Sequence, residues 1–278
     1  MHAELSHQQT KNILMDIAIP PCPSTLTTIL RETQNPTTDF ASLALLINQD
    51  AGILGPLLKL ANSSHVGLSK KVSSAFQALS VLGMQNTLNL VQNISIRQSV
   101  GGDSQRFESF WERSTLEALI AEKVARKLPN VNKSDAYLAT LFHDCGIPIL
   151  MMKFPKYAEV MREQSRLGVC LSKTENDIFY TNHTVIGNML TRNWMLPAHI
   201  SKAILHHHDL LVFNSDETPE VCDLIGVMHI AQYIVDEHFN AEPKEWHRFE
   251  RGVLKHFAIA SQELLEIKND LLAYLNDE

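Results

Sequence analysis

The chain has 278 residues, 45% of them hydrophobic and 20% charged, enough for one large domain or two smaller ones and too ordinary for a largely disordered protein. A formal charge of −7 argues against broad nucleic-acid binding, which needs a basic surface to neutralise phosphates. No run approaches the ~20 apolar residues of a membrane span, no apolar leader opens the chain, and Cys22, Cys145, Cys170 and Cys222 form no CxxC pair, so a soluble cytoplasmic protein with reduced thiols is expected.

Periodicity is helical nearly throughout, and no alternating-strand segment or internal repeat stands out. Phe40, Leu43, Leu46 and Ile47 fall at helical spacing behind Thr38 or Asp39 as N-cap. Leu54, Leu57, Leu58 and Ala61 repeat the pattern. Pro56 is expected to start or kink that helix, because proline has no amide hydrogen to give. Ala75 to Leu82 is amphipathic and Gly83 ends it, after which Leu88, Val91, Ile94 and Ser95 continue. Lys70-Lys71 is a basic doublet that a solvated loop explains. Gly101-Gly102-Asp103-Ser104 is the best break, the expected boundary between a lobe over 1–102 and one over 103–278.

Beyond it, Phe107 to Leu128 reads as one long helix stopped by Pro129. Asp135 to about Ile147 reads as the helix carrying His143-Asp144, ended or distorted by Gly146 and Pro148. Ser172-Lys-Thr-Glu175 matches a capping box. Val185, Ile186, Met189 and Leu190 mark a helix after His183, and Ile200, Ala203 and Ile204 lead up to His206-His207-His208-Asp209. Helices around 220–238 and 245–276 close the chain. The expected class is all-α, with short helices in the first lobe and a helical bundle in the second.

His143-Asp144 is the most informative pair. An imidazole and a carboxylate side by side on an apolar helix are costly to bury unless something binds them, and a metal ion is a common reason. Histidine and carboxylate donors suit iron, manganese, zinc or nickel. Two metals bridged by one carboxylate form a hydrolytic site for phosphate esters. Asp144 is the candidate bridge, with His143 serving one metal and His183 with His207, His208 or both serving the other. The plain alternatives stay open: a hydrogen-bonded His143–Asp144 pair, a polar His183 at a helix start, and histidines placed by a helix dipole at 206–208. Of those three His206 is the least favoured ligand. His229, Cys145 and Cys222 lie on apolar faces and are expected in the core, with Trp111 and Trp194 as packing anchors.

In order along the chain, Ile19-Pro-Pro-Cys-Pro23, Leu45-Leu-Ile-Asn-Gln-Asp50, Leu58-Lys-Leu-Ala-Asn-Ser-Ser64 and Ser73-Ser-Ala-Phe-Gln-Ala-Leu79 precede Leu82-Gly83. Phe110-Trp111, Leu141-Phe-His-Asp-Cys-Gly146, Asn182-His183, Trp194-Met-Leu-Pro197 and His207-His-Asp209 follow. The series resembles the HD superfamily of metal-dependent phosphohydrolases, and more closely its HDOD (HD-related output domain) branch, over almost the whole chain. The resemblance implies an HD-like bundle in the second lobe. It also marks departures. Arg113 stands where active HD enzymes carry a histidine ligand, Gln232 where they carry a late aspartate, and Ile147 where a lysine often follows. No Gly-Tyr-Pro follows His207-His208, which argues against the cyclic-dinucleotide phosphodiesterase branch.

Two ligands, His143 and Asp144, are left for the first metal, below the three that catalytic zinc sites usually keep; Asp144, His183, His207 and His208 meet that floor for the second. A guanidinium at Arg113 is expected to pair with Asp144 in place of the first metal. The reading preferred is a non-catalytic signal-transduction or regulatory protein, working through a signalling protein partner or a nucleotide or phosphate ligand, with at most one divalent metal ion and neither nucleic acid nor membrane as partner. The first lobe is the better candidate for partner contact. The alternative is a mononuclear metal-dependent phosphohydrolase acting on a nucleotide or other phosphate ester.

Overall fold

The computed structural model describes residues 16–33, 39–62, 71–100, 107–166 and 171–276. Regular structure among them is helical throughout, with no strand. The chain divides into two compact units, Pro21–Asp103 and Ser104–Asp277, with Met1–Pro20 grouped with the second. The Gly101–Ser104 break, Thr38, Ser63, Ser64, Lys70 and Cys170 lie outside the described residues.

The first unit contains α1 (Ser24–Thr33), α2 (Phe40–Asn48), α3 (Ala51–Ala61), α4 (Ala75–Leu82) and α5 (Met84–Ser99). Asp39 caps α2 by accepting from the Ser42 amide at 2.8 Å. Gly83, at φ 79°, ends α4 in a conformation that costs glycine little. Leu43, Ile47, Leu57, Leu79 and Val91 are fully buried and build the core of this unit. The Asn62 amide ties the end of α3 to the strand-less stretch before α4, accepting from the Val72 amide and donating to the Val72 carbonyl.

Pro56 does not start the helix, one of the two outcomes expected from sequence: it sits inside α3. A proline there cannot donate to the carbonyl four residues back, that of Gly52. The Gln98 side chain of α5 donates to that carbonyl instead, at 2.7 Å. A side chain thus replaces the missing ladder bond and lets the helix run through.

The second unit holds α6 (Glu108–Ala125), α7 (Lys133–Phe142), α8 (Gly146–Lys153), α9 (Tyr157–Arg166), α10 (Leu171–Phe179), α11 (His183–Asn193), α12 (Ala198–His206), α13 (Pro219–His238), α14 (Lys244–Phe257) and α15 (Ser261–Asn276). At its centre α13 packs against α6, α7, α12, α14 and α15. Its residues from Val221 to Ala231 are buried almost without interruption, apart from Asp223, as expected of a helix surrounded by others. Trp111, Trp194 and Tyr137 are among its largest fully buried side chains, and the Trp194 indole donates to the Pro20 carbonyl at 2.9 Å.

Four boundaries differ from the sequence expectation. Helix α6 stops at Ala125, short of Leu128. The helix expected over Asp135–Ile147 ends at Phe142, and a new one starts at Gly146, so that His143, Asp144 and Cys145 form the corner between α7 and α8. Ser172 lies inside α10, so the capping box does not form, and Glu175 is fully buried. The closing helix breaks at Ala258, a left-handed residue at φ 53°, into α14 and α15. No single helix among the described residues is long and apolar enough to cross a membrane.

The α3 arrangement predicts that Gln98→Leu destabilises the first unit by about 1 kcal/mol, the worth of one ordinary hydrogen bond. In a Pro56→Ala background, where residue 56 regains an amide to give to Gly52, the same change costs measurably less. Urea midpoints of the four proteins in this double-mutant cycle check it.

Candidate metal centre

Helix α7 is buried from Ala136 onward and delivers its last turn into the core. The chain then bends: the Cys145 amide donates to the Phe142 carbonyl at 3.1 Å and the Ile147 amide to the Asp144 carbonyl at 2.8 Å. Gly146 makes the bend possible next to α11. A Cβ there would lie 2.2 Å from the His183 carbonyl oxygen and 2.8 Å from its Cα, both backbone atoms that cannot swing aside. Only glycine permits this approach, which sets Asp144 beside His183. Asn182 caps α11 by accepting from the Val185 amide, while the His183 amide donates to Glu175 Oε2 at 3.0 Å.

Three imidazoles meet at Asp144, each held from behind. His183 Nδ1 donates to Glu175 Oε2 at 2.5 Å, and the other Glu175 oxygen accepts from the Tyr157 hydroxyl. His207 Nδ1 donates to the Ile204 carbonyl at 2.8 Å, and His208 Nδ1 to Glu245 Oε2 at 3.1 Å. With each Nδ1 bonded outward, all three Nε2 atoms face the middle, the arrangement that orients metal-ligating histidines. His183 Nε2 lies 3.1 Å from His208 Nε2, 3.5 Å from His207 Nε2 and 3.3 Å from Asp144 Oδ1, which is 3.6 Å from His207 Nε2. All four donor atoms fall within 4.8 Å of one another.

Asp144 Oδ1 is buried and has no hydrogen-bond partner. Four of the separations, between 3.1 and 3.6 Å, are close to the edge of about 3.3 Å in a tetrahedron with metal–ligand bonds of about 2.0–2.1 Å, so the donor set suits a divalent cation in number and type. His183 and His207 are fully buried, whereas the Asp144 side chain is 25% exposed and that of His208 13%, so the cluster reaches solvent on one side. Burial, together with the neighbouring His208, pushes His207 well below the usual imidazole range and keeps its lone pair free. Burial alone would lower His183, but the Glu175 and Asp144 carboxylates raise it, so cation binding there displaces a proton. At Glu245, burial is outweighed by the hydrogen bond from His208, which holds the carboxyl down at about 2.

His143 lies on the opposite side of Asp144 and is not among the four converging donors. Its Nδ1 donates to the Thr140 carbonyl at 2.6 Å. Its Nε2 is 3.1 Å from Asp144 Oδ2, 3.0 Å from the Gln232 amide and 3.8 Å from Glu117 Oε2. Burial disfavours a charged ring, but Asp144 and then Glu117 outweigh it and push His143 up to about 9. Gln232 Oε1 is itself buried without a partner. Turned about its last bond, that amide offers His143 an acceptor.

Arg113 does not pair with Asp144, which corrects the sequence expectation. Its Nε donates to Glu117 at 2.8 Å and its Nη2 to Asp236 at 2.6 Å. Glu117 lies one turn along the same helix and is almost wholly buried, so it intercepts the guanidinium before Asp144 can. The charges therefore alternate: Arg113, Glu117, His143, Asp144. Sequence reasoning missed Glu117, Asp236, Glu175, Tyr157 and Glu245. An acid four residues after Arg113 on an otherwise apolar face was the available signal for Glu117.

Of the remaining candidates, His206 faces Glu217 at 3.9 Å and Asp209 at 4.0 Å, away from the cluster. His229 is buried, donates to the His207 carbonyl at 2.8 Å and stacks on Phe249; burial pushes it down to about 4. Cys145 and Cys222 are buried as expected.

The corner geometry predicts that Gly146→Ala destabilises the second unit by about 3 kcal/mol or more, because the added methyl meets main chain and not a movable side chain. The urea midpoint checks it, with Gly55→Ala, where nothing lies within 4 Å, as the tolerated control.

With the site described, the relatives can be placed beside it. A protein of Treponema pallidum (strain Nichols), uncharacterized, is 25% identical over 267 residues, which are 92% of this chain and 50% of that protein. The chain thus spans about half the length of the curated relative it matches. A crystal structure of a candidate phosphohydrolase from Shewanella amazonensis SB2B superposes with a TM-score of 0.71 at 18% identity, covering 97% of this chain and 93% of the other. A candidate signal transduction protein from Marinobacter aquaeolei VT8 gives 0.69 at 16% identity, over 95% and 65%. At such identities the likeness is one of fold. The HDOD domain family itself matches residues 19–210, well over half of the chain, and the chain belongs to that family.

Proposed function

We propose that this chain is a regulatory HDOD protein that acts through protein or small-ligand contacts and holds one divalent cation at Asp144, His183, His207 and His208. The observation that carries the proposal is the meeting of three outward-anchored imidazoles on a buried carboxylate oxygen with no hydrogen-bond partner. Three ring nitrogens and an anionic oxygen converge there, a donor set that a divalent cation would engage together once the His183 proton is displaced.

Two-metal hydrolysis of phosphate esters needs a second set of ligands around the shared carboxylate. Here the second oxygen of Asp144 is taken by His143, and His143 in turn by Gln232 and Glu117. Four protein donors would also fill a tetrahedral cation, whereas catalytic zinc sites keep a position open. Both points favour regulation over turnover. A signalling partner and a cytoplasmic setting belong to the same proposal.

The second reading, a single-metal phosphohydrolase, is favoured by the partial exposure of Asp144 and His208. A bound cation would supply an acidified water or a polarised phosphate oxygen. The names of the two structural relatives divide along the same line.

Elemental analysis of protein purified without chelator should find one transition-metal ion per chain, lost in His183→Ala. Glu175→Gln, which keeps the shape but weakens the hold on His183, should reduce metal affinity by about 10- to 100-fold. Generic phosphomonoesters and phosphodiesters with added manganese, iron or nickel should stay intact. Turnover that follows metal content and disappears in His183→Ala establishes the second reading; two ions per chain would overturn both.

A further inference from the structure

Helices α11 and α12, which begin with His183 and run into His207, border a cleft of about 470 Å3 that none of the four donors lines. The helices are pinned to each other. Asn188 Nδ2 donates to the Ser201 carbonyl at 2.8 Å, and a Cβ on Gly187 would touch Ile204 at 3.0 Å. The cleft wall combines Arg192, Lys202 and Ser201 with the apolar Leu196, Ala198 and Leu205. Asn188 and Arg192 also line an adjoining cleft of about 480 Å3.

Its polar groups are only partly used. Lys202 pairs with Glu217 at 2.9 Å, while Arg192 has no acidic partner among the described residues. A free guanidinium fork and an ammonium on one wall match the oxygens of a phosphoryl group. The apolar residues on the same wall suit a flat organic body. The volume is that of sites for small ligands, with room for a mononucleotide.

We infer that the cleft between α11 and α12 is a binding site for a small phosphorylated molecule of mononucleotide size, its phosphoryl group held by Arg192 and Lys202. The site is separate from the donor cluster, but both its helices carry donors. Binding there shifts the relative placement of His183 and His207 and so alters cation affinity, and by linkage the cation alters ligand affinity equally. The binding step stands without the cation; the coupling step rests on the proposal above.

Calorimetric titration of metal-stripped protein with adenosine 5′-monophosphate, adenosine and inorganic phosphate tests the first step. Saturable binding of the monophosphate is expected with a Kd at or below about 1 mM, tighter than either fragment. Arg192→Ala and Lys202→Ala, both at exposed positions where folding is easily confirmed by thermal melting, should each weaken it about tenfold or more. No saturable binding, affinity no better than that of inorganic phosphate, or undiminished binding by the two variants together would each overturn the site. Titration of manganese or zinc with and without the monophosphate then tests coupling, expected as a change of about fivefold or more in cation affinity. Monophosphate binding that persists in a chain unable to hold any cation removes the metal proposal and leaves the cleft standing.

Discussion

The two oxygens of Asp144 face opposite demands, and the surrounding bundle is arranged to satisfy both. Oδ2 lies against His143, whose ring is held charged by its acidic neighbours. Oδ1 lies against the Nε2 atoms of His183 and His207, buried and without a hydrogen-bond partner among the described residues. One carboxylate therefore joins a closed ion-pair network to an open donor set. What places it there is a backbone contact: Gly146 against the main chain of His183. Most other features of the site are consequences of that contact, because it fixes which helix ends can meet.

On the His143 side, four residues alternate in sign from Arg113 through Glu117 and His143 to Asp144, with Asp236 as a second acceptor for the guanidinium. Burying such charges costs several kcal/mol per ion unless geometry and hydrogen bonds compensate, and alternation is how this core compensates. Truncating one member strands its neighbours, so the network resists piecemeal change more than an apolar core of equal volume would. On the other side the carboxylates sit one shell further out. Glu175 and Glu245 each take an Nδ1 proton and leave the Nε2 atoms to the centre.

Much of this was legible in the sequence, for reasons that separate the two shells. His143, Asp144, His183, His207 and His208 stand at helix ends and in a recognisable order, and local pattern suffices to single them out as candidates, of which four converge and His143 does not. The all-helical class followed from periodicity in the same way. Glu117, Glu175 and Glu245 come from three different helices; an apolar face around it marks Glu117, and nothing local marks the other two as partners of a histidine. Glu175 was misassigned because Ser-x-x-Glu is a common start to a helix, and the start lay upstream. Pro56 was misread because its substitute partner, Gln98, is 42 residues away. Long-range pairing of this kind has no periodic trace.

The plainest rival to a cation is a core of hydrogen-bonded polar residues that needs nothing bound. On the His143 side that description holds: Nδ1 reaches Thr140, and Nε2 reaches Asp144 and Gln232. On the other side it fails. A self-sufficient cluster would turn at least one imidazole so that an N–H met the carboxylate oxygen. Here every Nδ1 is instead bonded to an acceptor behind it, two of them carboxylates. A single proton on one Nε2 would satisfy Asp144 Oδ1 and still leave two inward ring nitrogens without a protein donor among the described residues. A divalent ion answers all four atoms at once, and the outer acceptors are the ones that would hold its ligands in place.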